Sequence, residues 1–280
     1  MKSRSECKPT EVINLTDACL VEADRHSSKG NQMKWHTDGF WYKADYLGYE
    51  ALAEVLASKC LEHSNITHYV AYQPVSIVYH DEIFHGCKSP NFLGETEELL
   101  TAERLYFQLY GKSLAKELAG REVADKIAFF VKTMTDITGL ADFGTYLTTM
   151  LELDAFCLNE DRHMHNIAVI RNDEGEFRWC PLFDQGAGFF SDSKVDFKEE
   201  YSLEKCFGRI EAKPFSTDFE EQVDAAEALY GTQVRFNFSV KEAEQWIEEA
   251  GACYAPAVRE RVREVMHTQM RKYRYLFLNS

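Results

Sequence analysis

Residues 159 to 186 constrain this chain more than any other stretch. A polar segment, Asn159-Glu160-Asp161-Arg162-His163-Met164-His165-Asn166, leads into two short apolar runs and then into Phe183-Asp184-Gln185-Gly186. The runs, Ile167–Ile170 and Phe177–Phe183, are separated by Asn172-Asp173-Glu174-Gly175, a composition that turns the chain back on itself. An antiparallel hairpin puts the start of one strand beside the end of its partner, so Asn166 and Asp184 are expected at the same end. One amide oxygen and one carboxylate there are hard ligands for a divalent cation such as Mg²⁺, with Mn²⁺ as a substitute.

Composition narrows the classes. A chain of 280 residues with 45% hydrophobic content can bury a substantial core and suits one two-lobed unit. Its 31 basic and 46 acidic residues give a net charge of −15, which offers no general attraction to a phosphate backbone, so nucleic acid is not the expected partner. No run of about eighteen apolar residues marks a membrane span, and the first nine residues lack a signal-type apolar core. A cytoplasmic protein is expected. The eight cysteines are scattered without a Cys-x-x-Cys pair and read as reduced, mostly buried thiols.

Patterning changes along the chain. Gln32 to Asp45 reads as two strands around a Thr37-Asp38-Gly39 turn. Leu47 to Leu61 carries Leu47, Ala51, Leu52, Val55, Leu56 and Leu61 at helical spacing. Val70 to Tyr79 alternates as a strand, and Pro74 predicts that it is an edge or bulged strand. Phe84 to Phe92 suits a short strand entering a connector. From Glu95 the pattern turns helical, over 95–118, 122–135 and 142–158, and again over 218–230, 240–250 and 255–277. The expectation is an α+β, two-lobed architecture: a β-rich small lobe over residues 1–93 and a helical large lobe over 94–280.

The motif Asn159-x-Asp161-Arg162-His163-x-x-Asn166, followed by Phe183-Asp184, resembles that of the HipA-like and phosphatidylinositol-kinase-related atypical kinases. Ser27-x-x-Gly30-x-Gln32-x-Lys34 is similar to the phosphate loop of HipA-type kinases, so the likeness spans roughly residues 27 to 190. In length the chain resembles the compact, stand-alone, CtkA-like bacterial serine/threonine kinases. The resemblance implies a protein-kinase-like fold, ATP and Mg²⁺ in the cleft, and a protein Ser/Thr acceptor, the chain itself included. A small molecule or lipid head group is the alternative acceptor. It leaves the oligomeric state open.

Roles follow from phosphoryl-transfer chemistry, in which the protein positions a hydroxyl and neutralises charge. Asp161 is the candidate to orient the attacking hydroxyl, with Asn166 and Asp184 as metal ligands. Lys43, in the second strand of the hairpin, is the candidate partner of the α- and β-phosphates. Glu54, which borders the apolar face of the following helix, is favoured over Glu50 to hold Lys43. Ser27, Ser28 and Gly30 are expected to cover the phosphates, and the resemblance implies autophosphorylation at Ser27 as an off switch. Arg162 is expected to contact phosphate or brace the loop, and His163 to bond backbone carbonyls beside the nucleotide.

Two other readings use some of the same residues. Asp161, His163, His165 and Asp184 would be the ligands of a metal-dependent hydrolase, although no His-Glu-x-x-His helix accompanies them. A catalytically inactive kinase fold serving as a binding module would retain the architecture. Retention of Lys43, Asp161, Asn166 and Asp184 argues against it. No Ala-Pro-Glu segment follows Asp184, so control by activation-loop phosphorylation is not expected.

Overall fold

A computed structural model describes residues 11–21 and 32–278 of the chain. The small lobe is a five-stranded sheet of β1 (Glu11–Asn14), β2 (Lys34–Thr37), β3 (Phe40–Ala44), β4 (Gln73–Tyr79) and β5 (Glu82–Pro90). Its order is β1-β4-β5-β3-β2, with β1 parallel to β4 and every other pair antiparallel. The β2–β3 turn places Asp38 at φ 51° and Gly39 at φ 76°, the left-handed pair that an Asp-Gly hairpin supplies. Strand β4 is not the expected edge: β1 lies on one side of it and β5 on the other. Pro74 is tolerated because β1 pairs only from Val75 onward, so the missing N–H falls beyond that ladder.

Helix α1 (Glu50–Glu62) crosses behind this sheet and begins three residues later than the apolar spacing predicts. Its start is fixed by two carboxylates. Glu50 accepts N–H donations from Leu47 at 2.5 Å and Gly48 at 3.1 Å, and Asp45 accepts from Ala51 at 2.7 Å. The helix was expected to be amphipathic, yet residues Ala51 to Ser58 are all buried. Strands β3, β4 and β5 cover one side of α1, and α5 (Phe143–Cys157) and α8 (Val240–Ala250) cover another. A helix enclosed in this way loses its polar face, and Ala51, Ala53 and Ala57 allow the close approach.

The large lobe holds β6 (Glu98–Thr101), α2 (Ala102–Tyr110), α3 (Leu114–Leu118), α4 (Val123–Thr138), α5, β7 (Ala168–Arg171), β8 (Phe177–Trp179), α6 (Leu203–Phe207), α7 (Phe219–Tyr230), α8 and α9 (Pro256–Lys272). Residues 98–101 depart from the helical expectation because they pair with β7, Glu98 opposite Arg171 and Thr101 opposite Ala168. Long-range pairing outweighs local helix preference there. The Thr101 hydroxyl then caps α2 through the Arg104 N–H at 3.2 Å, and Gly111 at φ 66° ends it. The last predicted helix stops at Lys272 and continues as a short 3₁₀ turn over Arg274–Leu276. One core runs from α1 through α5 to α9, with Phe130, Phe156, Phe190 and Phe236 fully enclosed. Cys60, Cys87, Cys157, Cys180 and Cys206 are buried free thiols. Among the described residues no helix is long and apolar enough to cross a membrane.

Two tests follow from the small lobe. A Cβ added at Gly86 would sit 2.6 Å from the Lys43 carbonyl oxygen and 2.5 Å from Ile77 Cδ1, so Gly86→Ala is expected to destabilise by about 1–3 kcal/mol, read from urea unfolding. Asp45 accepts from Tyr254 Oη at 2.6 Å, and enclosure of its carboxyl raises its pKa from the ordinary 3.8 to about 8 against that bond. An acid whose pKa is higher in the folded than in the unfolded chain favours folding at low pH, and this contribution falls between about pH 4 and pH 8. Asp45→Asn should therefore flatten the decline of stability with pH over that window, by up to about 1 kcal/mol per pH unit.

Candidate active site

The site begins where α5 stops. Leu158 adopts φ 58°, ending the helix, and Asn159 turns back onto it: its N–H donates to the Asp154 carbonyl and its Nδ2 to Asp154 Oδ1, both at 2.8 Å. Arg162 is fully buried, and its N–H groups are taken by protein oxygens. Nε and Nη2 hold the two Asp154 carboxylate oxygens at 2.6 and 2.9 Å. Nη1 donates to the Asn166 and Phe183 carbonyls at 2.9 and 3.1 Å, and Nη2 reaches the Asp184 carbonyl at 3.5 Å. Burial alone would lower the guanidinium's pKa, but Asp154 raises it above the ordinary value, so Arg162 stays charged. Of its two expected roles, the geometry supports bracing. Direct contact with phosphate is corrected, because the donors are spent inside the protein.

That guanidinium joins the two halves of the expected cation site. Asn166 and Phe183 offer their carbonyls to one nitrogen, so the segments carrying Asn166 and Asp184 meet at the hairpin end. The Asn166 Nδ2 donates to the Asp161 carbonyl at 2.8 Å, which fixes the amide and leaves Oδ1 as its ligand atom. Asp184 sits at φ 65°, an uncommon conformation for a residue with a side chain. Its carboxyl is partly accessible. Burial works to raise its pKa, but Lys43, Lys34 and Arg162 hold it well below the ordinary carboxylate range. A pinned amide oxygen and an ionised carboxylate fit a Mg²⁺ ion whose remaining ligands come from phosphate and water.

Lys43 reaches across from β3. Its Nζ lies 2.6 Å from Glu54 Oε1, 2.8 Å from Asp184 Oδ1 and 3.4 Å from Tyr72 Oη. Burial opposes its charge, yet Asp184 and Glu54 keep it a cation. Glu54 Oε2 accepts the Gln185 N–H at 2.9 Å, so one carboxylate ties α1 to both Lys43 and the Asp184 segment. Glu50, the alternative partner, is occupied at the start of α1. Lys34 stands directly opposite Lys43 across the β2–β3 ladder. Two like charges at such positions repel unless an anion lies between or over them.

Asp161 lies on the other side of the loop, with Lys213 Nζ at 3.3 Å from Oδ1. The loop's tight turn is made by backbone: the His163 N–H donates to the Asp161 carbonyl at 2.9 Å and the Asn166 N–H to the His163 carbonyl at 2.8 Å. Neither ring nitrogen of His163 has a hydrogen-bond partner among the described residues, which corrects the expected side-chain bonds to carbonyls. Burial lowers its pKa, and the ring packs edge-on against His165. Ser27, Ser28 and Gly30 lie outside the described residues. Among the described residues no three His, Cys, Asp or Glu side chains gather as a metallohydrolase would need.

Asp154 and Lys213 escaped the sequence reading. Asp154 carried a signal, an acid inside the run Leu153-Asp154-Ala155-Phe156, which demands a buried partner. Lys213 carried none, since 52 residues separate it from Asp161.

The two lobes, with α1 pinned behind the sheet and the hairpin beneath it, define a protein-kinase-like fold. Among solved structures, the chain is similar to the proinflammatory kinase CtkA of Helicobacter pylori, with a TM-score of 0.64 and 15% identity over 94% of this chain and 95% of that one. At that identity the likeness is one of fold. A choline/ethanolamine kinase family protein from Mesorhizobium loti aligns at 10% identity over 93% and 88% of the two chains, but a TM-score of 0.26 carries no argument. No protein-family model matches the chain, and no curated protein matches it.

Arg162→Met should be severely destabilising, by about 3–5 kcal/mol, because it strands the Asp154 charge in the core. The double variant Asp154→Leu/Arg162→Met should recover much of that loss in urea unfolding, although the carbonyls of Asn166 and Phe183 still lose their common donor.

Proposed function

We propose that this chain is an ATP- and Mg²⁺-dependent phosphotransferase that phosphorylates serine or threonine on proteins, with residues 1–93 as the nucleotide-binding lobe. The observation that carries the reading is the Lys43 ammonium held between Glu54 of the small lobe and Asp184 of the large one, at 2.6 and 2.8 Å. A buried cation held between a small-lobe and a large-lobe carboxylate is an arrangement that suits triphosphate binding.

In this reading Lys43 binds the α- and β-phosphates, Glu54 keeps it in place, and Lys34 adds a second positive charge on the same ladder. The Asp184 carboxylate already offsets the like charges of Lys34 and Lys43, and bound phosphates add to that compensation. Ser27, Ser28 and Gly30, which lie outside the described residues, are assigned to phosphate binding by the motif they share with Lys34. Asn166 and Asp184 would hold Mg²⁺, which when bound neutralises charge on the β- and γ-phosphates. Asp161 accepts the hydrogen bond of the attacking hydroxyl and takes its proton as the new bond forms. The metal-hydrolase reading has no assembled ligand set to stand on among the described residues. A protein acceptor is favoured by the charge of −15, which suits a basic polypeptide better than an anionic head group.

Incubation with γ-labelled ATP and Mg²⁺ tests this. Label is expected on Ser or Thr of the chain or of an added basic protein, Ser27 included, and Asp161→Ala should lower the rate by about 10²- to 10⁴-fold. ATP binding with no label on protein would move the acceptor to a small molecule. Absence of ATP binding would overturn the proposal.

A further inference from the structure

Lys213 lies outside every motif discussed so far, on the segment between α6 and α7. Its backbone is held from behind. The Gln222 side chain of α7 donates to the Lys213 carbonyl at 3.2 Å, Lys126 of α4 donates to the Phe215 carbonyl at 2.8 Å, and the Ala212 N–H closes the turn onto the Thr217 carbonyl at 2.8 Å. The side chain, 41% exposed, extends the other way to Asp161 Oδ1 at 3.3 Å. Beside it opens a cleft of about 240 Å³ lined by Leu118, Lys126, His163, Met164, Lys213 and Pro214.

Arg162 and Lys43 are held by other partners, and Lys34 stands on the small-lobe ladder with Lys43. Arg162 is spent on Asp154 and on backbone carbonyls. Lys43 sits on the far side between Glu54 and Asp184. Burial lowers the pKa of the His163 ring, whose Nε2 lies 3.8 Å from Asp161 Oδ2. Among the described residues, Lys213 is the lysine whose ammonium reaches Asp161 within 4 Å. A hydroxyl hydrogen-bonded to Asp161 sits about 2.7 Å from its carboxylate. A hydroxyl held there and the Lys213 ammonium at 3.3 Å share one carboxylate.

We infer that Lys213 is a catalytic residue, supplying from a distant segment a cation that stabilises the transferring phosphoryl group. The inference rests on the phosphotransfer reading above. In the step it serves, the bond from the γ-phosphorus to the oxygen bridging the β-phosphate breaks, and its electron pair leaves with ADP. A lone pair of the attacking oxygen forms the new bond to phosphorus, and the hydroxyl proton passes to Asp161 and then to water. While both bonds are partial, negative charge concentrates on the equatorial oxygens. Lys213 leaves Asp161 as that carboxylate takes the proton and pairs with those oxygens instead.

Release of phosphate from Mg²⁺-ATP tests the inference without a known acceptor, with nucleotide affinities measured by calorimetry. Lys213→Met is expected to lower kcat about 10²- to 10³-fold while KM for ATP and affinity for ADP change less than threefold. ADP with aluminium fluoride, a mimic of the transferring group, should bind the wild type far more tightly than ADP alone, and that gain should vanish in Lys213→Met. Lys213→Arg should recover at least tenfold of the lost rate. An active wild type with Lys213→Met within threefold of it overturns the inference alone. Equal losses in Met and Arg variants, with ADP binding lost too, also overturn it, since a structural tie would explain them. A wild type that neither binds ATP nor releases phosphate overturns the phosphotransfer reading itself.

Discussion

The buried pair of Arg162 and Asp154 is the constraint on which the rest of the site depends. Removing two charges from water is costly, and in a core their attraction offsets that cost only when every donor finds an oxygen. Here the donors do: two face the carboxylate of α5, and the rest face carbonyls on both sides of the β7–β8 hairpin. The helix end, the Asp161 turn and the Asp184 segment therefore share one fixed point. None of the three can shift by an ångström without breaking a charge-assisted bond.

A second fixed point lies across the cleft at Lys43. Its ammonium draws Glu54 from the small lobe and Asp184 from the large one, and Glu54 returns a bond to the Gln185 N–H. Asp184 belongs to both clusters, with its carbonyl facing Arg162 and its carboxylate facing Lys43. Its positive φ of 65° is the backbone strain that permits this double attachment. Strain of this kind persists only where the surroundings over-determine the conformation, and hydrogen bonds from both sides do so here.

Much of this was legible in the sequence where the governing forces are local. Asp38-Gly39 announced its turn because few residue pairs accept two positive φ values, and the β7–β8 hairpin was readable from its turn residues and apolar runs. Glu54 emerged over Glu50 from helical angle alone. What failed was decided by distant partners. Residues 98–101 carry a helix-like pattern and become a strand because β7 lies beside them. Pro74 marked β4 as an edge or bulged strand, yet a parallel neighbour begins one residue later and the register with β5 runs through Pro74 unbroken. Arg162 looks like a phosphate contact in any list of catalytic-loop residues, and only the depth of Asp154 reveals otherwise. No local signal connects Lys213 to Asp161.

The enclosure of α1 has a consequence for control. In a fold where the helix carrying the glutamate partner rests on one surface, swinging that helix outward is an inexpensive way to separate lysine from glutamate. Here the sheet covers one side of α1 and α5 and α8 cover another, and ten of its residues are buried. Moving it would expose an apolar interior on two fronts at once. Outward movement of α1 and loss of the core it shares with α5 and α8 thus become a single cooperative event. The heat sensitivity of the helix's placement should track that of folding itself, leaving no cooler intermediate in which the chain is intact and α1 has swung out.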